Sequence, residues 1–191
     1  ARLRVAGFSD TDVQVVGPNP RNRNLIVRLR GTAARPSILF LAHLDVVEAR
    51  REDWSLDPFK FTELDGYFYG RGVYDIKCGA AILVATMIRL KREGFVPHRD
   101  LIVALTAGEE SGGDYNGVEW LLKNRRDLID AAYCINMDAG DPLIKNGKRW
   151  VRTVQASEKV SVTFQLEVKN PGGHSSRPTK DNAIYRLAGG L

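Results

Sequence analysis

Apolar residues in this chain gather in short runs, and histidine or carboxylate residues stand just beyond those runs. Ile38-Leu39-Phe40-Leu41-Ala42, Leu101-Ile102-Val103-Ala104-Leu105 and Ala131-Ala132-Tyr133-Cys134-Ile135 have the length of buried strands. Residues 25–30 alternate toward a further strand, with a turn over 31–36 before the next one. Residues 61–69 read as a short hairpin turned at Asp65-Gly66. Ile82, Ala85, Met87 and Ile88 recur at helical spacing within 78–92, and Gly94 with Pro97 predicts where that helix stops. A second helix is expected over 118–124. The succession β, α, β, α, β predicts an α/β fold with a mainly parallel sheet flanked by helices.

The texture changes from residue 159 onward. Val160, Val162, Phe164, Leu166 and Val168 alternate with polar residues, which predicts a half-exposed strand. A turn at Pro171-Gly172-Gly173 and a helix start at Asp181-Asn182-Ala183 follow. A boundary near Ala156 to Glu158 divides the chain into residues 1–156 and 157–191, the second stretch being too short to bury a core of its own. Residues 1–8 read as the end of a helix, so a missing start is expected.

Bulk properties narrow the function classes. The chain of 191 residues is 43% hydrophobic and 27% charged, an ordinary globular balance. No apolar stretch approaches the ~18–20 residues that span a bilayer, so no membrane segment is predicted. The net charge of +5 comes from scattered residues such as Arg28, Lys91 and Arg125, with no aromatic-interleaved stripe, which argues against a nucleic-acid partner. Cys78 and Cys134 form neither a disulfide framework nor a zinc spacing, and the compartment stays unassigned.

The residues after the strands carry the chemistry. Ligands of open α/β sheets gather beyond the carboxyl ends of the strands. Carboxylates and imidazole collected there repel or stay unpaired unless a cation sits among them. His43 and Asp45 leave one face of an extended segment, suiting a ligand histidine with a supporting carboxylate, or a strand-end histidine capped by aspartate. Asp75 suits a ligand or a helix N-cap. In Glu109-Glu110, one carboxylate could coordinate and the other take a proton from water, or both could be loop residues. Asp138 suits a ligand or a turn start with Gly140. Four such coincidences at successive strand ends favour a metallohydrolase. Ser111 and Ser175 offer a serine-hydrolase alternative, but neither lies in a Gly-x-Ser-x-Gly elbow.

His43-Leu44-Asp45-Val46-Val47, Trp54, Asp57-Pro58-Phe59, the run Asp65 to Gly72 with Asp75, Glu109-Glu110-Ser111-Gly112-Gly113 and Gly172-Gly173-His174-Ser175-Ser176 occur in that order. Together they resemble the co-catalytic zinc metallopeptidase family of aminoacylase, succinyl-diaminopimelate desuccinylase, carboxypeptidase G and yeast carboxypeptidase S. The resemblance implies a zinc-exopeptidase-like catalytic domain followed by the start of an α+β lid and dimerisation domain. It implies two Zn2+ ions, with Co2+ or Mn2+ as alternatives. His43 is expected on one ion, Glu110 on the other, Asp75 bridging, Glu109 as general base and Asp45 behind His43. His174 is expected to stabilise an oxyanion in a partner protomer, hence a homodimer. Relatives carry Asn-Glu-Gly-Gly where this chain has Asn136-Met137-Asp138-Ala139-Gly140, so Asp138 is a shorter ligand set one residue later. The family's remaining histidine ligand follows the lid and has no counterpart here. The implied substrate is a peptide or N-acyl amino acid, its carboxylate held by an arginine that no motif singles out. A truncated, non-catalytic metal-binding fragment is the alternative.

Overall fold

The apolar runs at 38–42 and 101–105 become strands whose alternate residues feed two separate cores, whereas the run at 131–135 becomes an edge strand exposed along Tyr133–Asn136 instead of the buried strand expected there. The computed structural model describes all residues except 112, 114, 139–141, 155–156, 158–159, 161, 175 and 178. It divides into two compact units, Ala1–Val154 and Gln155–Leu191. The boundary expected at Ala156 to Glu158 lies outside the described residues.

In chain order the first unit begins with α1 (Arg2–Val5), β1 (Val13–Val16), β2 (Asn24–Leu29) and β3 (Ile38–His43). A 3-10 turn (Arg51–Asp53), the hairpin β4 (Thr62–Leu64) and β5 (Tyr67–Tyr69), and a kinked turn (Val73–Lys77) lead into α2 (Cys78–Arg92). Then come β6 (Leu101–Thr106), α3 (Gly117–Asn124), α4 (Arg126–Ile129), β7 (Tyr133–Asn136) and the hairpin β8 (Pro142–Lys145) with β9 (Lys148–Arg152). The second unit holds α5 (Ala183–Ala188), capped by the Asn182 side chain, which accepts the Ile184 N–H.

The main sheet runs in the order β1-β2-β6-β3-β7. β3 is parallel to both β6 and β7, whereas β2 is antiparallel to both β1 and β6. The sheet is therefore mixed, which corrects the expectation of a mainly parallel one. Connection length explains the difference. Parallel neighbours need a long crossover, usually a helix. α2 supplies one between β3 and β6, and α3 with α4 supplies one between β6 and β7. The link 30–37 between β2 and β3 contains no helix, so the chain simply reverses there.

Alternation then sorts the side chains. Val27, Leu29, Ala42, Val103 and Leu105 face one core with Leu3, Phe8 and the α2 residues Ala80, Leu83 and Met87. Ile26, Leu39, Ile102 and Ala104 face the other with Leu121, Leu128 and Ile129 from α3 and α4. At ~25 cal/mol per Å² of apolar surface removed from water, these two faces supply the driving force that assembles the layers.

The strand expected through Val160, Val162, Phe164, Leu166 and Val168 is not formed. Residues 162–174 carry no regular structure, and Val160, Phe164 and Leu166 are exposed. Alternation stabilises a strand only where a neighbour completes its ladder, and the described part of this unit offers no second strand.

Candidate metal centre

Parallel β3, β6 and β7 end at one edge of the sheet. His43 closes β3 opposite Thr106 of β6, and Leu41 lies opposite Asn136 at the end of β7. The loops that leave those ends carry Asp45, the Glu109-Glu110 pair and Asp138. Asp75 arrives from the kinked turn before α2, where Gly72 takes a left-handed conformation (φ 80°). A side chain at Gly72 would run into Val46, so only glycine lets this turn approach the β3 loop.

These placements converge on the His43 ring, which is 3% exposed. Its Nε2 lies 3.0 Å from Asp75 Oδ1, 3.6 Å from Asp138 Oδ2 and 4.0 Å from Glu109 Oε2. On the opposite side of the ring, Nδ1 lies 3.0 Å from the Asp45 carbonyl oxygen and 3.7 Å from its Oδ1. Asp45 Oδ2 accepts the Glu110 N–H at 2.8 Å, so one aspartate steadies both the histidine and the glutamate loop. Its Oδ1 is buried with no hydrogen-bond partner among the described residues.

The charges are mutually frustrated. Burial opposes a proton on His43, but the Asp45 carbonyl and the Asp138, Asp75 and Glu109 carboxylates outweigh it and raise its pKa. Burial also raises the Glu109 carboxyl, and the negative charges of Asp138, Glu110 and Asp45 push the same way against His43. Both ring nitrogens face acceptor oxygens, Nδ1 the Asp45 carbonyl and Nε2 the Asp75 carboxylate.

The donor set fits a divalent metal. Two groups, His43 with Glu109 and Glu110, and His43 with Asp75 and Asp138, each bring ligand atoms within 4.8 Å of one another. Nδ1 anchored on Asp45 leaves Nε2 free to ligate, the usual arrangement of a metal histidine. Imidazole nitrogen with carboxylate oxygens suits zinc, and also cobalt or manganese. Both glutamates enter the same group, so position alone does not divide ligand from base.

His174 belongs to the second unit, where its Nδ1 accepts the Ser176 N–H and contacts Ser176 Oγ at 2.8 Å. Ser111 donates its hydroxyl to the Gly108 and Tyr115 carbonyls as a loop brace. Ser175 and Gly140 lie outside the described residues. Sequence pattern does not single out Asn24 or Tyr115. The only signal for Asn24 is a polar residue opening an apolar strand, which reads equally as loop.

Comparison with known proteins adds independent support. The model of peptidase family M20/M25/M40 matches residues 39–188. A succinyl-diaminopimelate desuccinylase of Wolbachia pipientis wMel is 34% identical over 157 residues, which cover 80% of this chain and 37% of the relative. The N-fatty-acyl-amino acid synthase/hydrolase of Homo sapiens is 34% identical over 154 residues, 78% of this chain and 30% of the relative. The chain thus spans about a third of the length of these curated relatives. Human carnosine dipeptidase 1 shares the fold, with a TM-score of 0.56 at 22% identity over 74% of this chain and 32% of that one. The dipeptidase Dug1p of Saccharomyces cerevisiae superposes with a TM-score of 0.54 at 25% identity over 72% and 31%. The chain belongs to peptidase family M20/M25/M40.

Proposed function

We propose that this protein takes part in hydrolysing an amide bond of a peptide or N-acyl amino acid, using water activated at a pair of zinc ions. The observation that carries this reading is the convergence of Asp75, Glu109 and Asp138 on His43 Nε2 at one sheet edge. The names of the relatives point to the same bond, since a desuccinylase, an acyl-amino acid hydrolase and dipeptidases all act on an amide at an amino acid.

Each residue has a role in this scheme. His43, Asp75, Glu110 and Asp138 would hold the metal. Bound zinc would polarise the scissile carbonyl and acidify the attacking water. Glu109, beside His43 at the same cluster, would accept that water's proton and return it to the departing amine. Asp45 fixes the His43 ring through its carbonyl and the Glu110 backbone through its carboxylate. His174, carried by the second unit, stabilises the oxyanion in a partner protomer of a homodimer.

Metal uptake and hydrolysis test the scheme together. The protein should bind zinc or cobalt and release amine from N-acyl amino acids or dipeptides in a metal-dependent way. His43→Ala should abolish both. A wild-type protein that takes up no zinc or cobalt overturns the reading.

A further inference from the structure

The antiparallel course of β2 has a consequence at the metal edge. Because β2 runs against β6, its first residue, Asn24, arrives at the edge where β3 and β6 end. Leu25 lies opposite Leu105, which sets Asn24 level with Thr106, the last residue before the glutamate loop. Asn24 is 0% exposed, and its side chain is spent on that loop. Oδ1 accepts the Ala107 N–H at 3.1 Å, where the loop departs. Nδ2 donates to the Tyr115 hydroxyl at 3.0 Å, where the loop returns. Tyr115 in turn donates to the Asn22 carbonyl, and the Gly117 N–H closes the base of the loop on the Ala107 carbonyl. A side chain at Gly117 would collide with Asn24 Oδ1 and with the Ala107 carbonyl, so glycine there keeps room for this clamp.

We propose that Asn24 is a positioning residue for the Glu109-Glu110 pair, clamping both ends of the loop so that the two carboxylates meet His43. This rests on the reading of those glutamates as metal ligand and general base. One amide side chain suits the task because it offers an acceptor and a donor on the same plane, and each end of the loop presents the complementary group. The tip of the loop is held separately, by Asp45 on the Glu110 N–H. With the clamp removed, the loop keeps the Asp45 tether on Glu110 and the Ser111 brace but loses its fixed ends, and gains freedom that metal binding must then take away.

Asn24→Leu removes both clamp bonds while keeping the same number and branching of side-chain heavy atoms, and Tyr115→Phe removes only the second. Two measurements separate positioning from mere stabilisation. Cobalt titration with visible spectra reads ligand geometry. Backbone amide exchange of Ala107 and Glu110 in the metal-free protein, taken relative to Val103 in the middle of β6, reads the loop itself. Asn24→Leu should weaken cobalt binding about 10–100-fold and alter the spectrum, as loss of a residue supporting metal ligands typically does, with a smaller effect for Tyr115→Phe. The Glu110 amide should exchange faster relative to Val103 although its own acceptor is untouched. Cobalt affinity within about twofold of wild type and an unchanged Glu110-to-Val103 ratio would overturn the proposal, whatever happens to melting temperature. If Asn24→Leu does not fold, Tyr115→Phe decides by the same two criteria. If wild-type protein binds no cobalt, the metal reading falls and the exchange ratio alone decides the clamp.

Discussion

His43 shows how much a single position can be asked to do. Buried at a strand end, it is pinned on one nitrogen by a carbonyl and crowded on the other by three carboxylates. The neighbouring glutamates are separable by substitution, although position does not divide them. Glu109→Gln should keep metal content near wild type while lowering turnover by ~10²–10⁴-fold, the usual contribution of a general base. Glu110→Ala should instead lose metal. Elemental analysis beside an amine-release assay reads both, and metal loss on Glu109→Gln would exchange the two roles. Asp45, Glu109-Glu110 and Asp138 are legible in the sequence because each follows an apolar run that ends as a strand. Asn24 is not legible there, since its importance depends on the direction of β2, and local pattern carries no information on strand direction.

Individual elements hold their places for equally local reasons. At the end of the sheet away from His43, Arg28 of β2 pairs with Asp100 at 3.0 Å and donates to the Leu128 carbonyl at the end of α4. Asp100 also accepts the Gly31 N–H at 2.8 Å. Burial works to raise the Asp100 pKa, but the Gly31 N–H and the Arg28 guanidinium outweigh it and hold the carboxyl below its ordinary value. A depressed folded-state pKa contributes stability above the unfolded value, and that contribution is lost as pH falls through the folded one. Asp100→Asn should therefore lower the urea midpoint at pH 7, and the gap to wild type should shrink at acid pH as the folded-state carboxyl takes up its proton. An equal gap at both pH values would mean the pair acts through packing. Other elements are legible in part. The hairpin of β8 and β9 turns at Asn146-Gly147, both at positive φ, a strong hairpin signal in plain sight. β1 is only Val13–Val16, too short for periodicity to register. The alternation after residue 159 misleads for the opposite reason, because a pattern without a partner strand makes no ladder.

At the scale of the molecule, two layers of helix enclose a sheet with His43, Asp75, Glu109 and Asp138 gathered at one edge. A cation that binds only the folded state adds stability by mass action, ~2.7 kcal/mol at a hundredfold excess over its dissociation constant. Zinc or cobalt should raise the melting temperature and a chelator should reverse it, with His43→Ala insensitive to both. An unshifted wild-type melting curve in excess metal would argue that the edge holds no ion. The strand order has a further consequence, for synthesis. β6 is the central strand, with β2 on one side and β3 on the other, yet it is made after both. β2 and β3 do not pair with each other, so a nascent chain emerging only as far as residue 99 holds no more of the sheet than the β1–β2 ribbon. Pairings so distant in sequence form slowly. Stalled chains on the ribosome should accordingly stay open to protease at least until residues 101–106 have cleared the exit tunnel, because the strands made earlier are left waiting on the one that fills the middle.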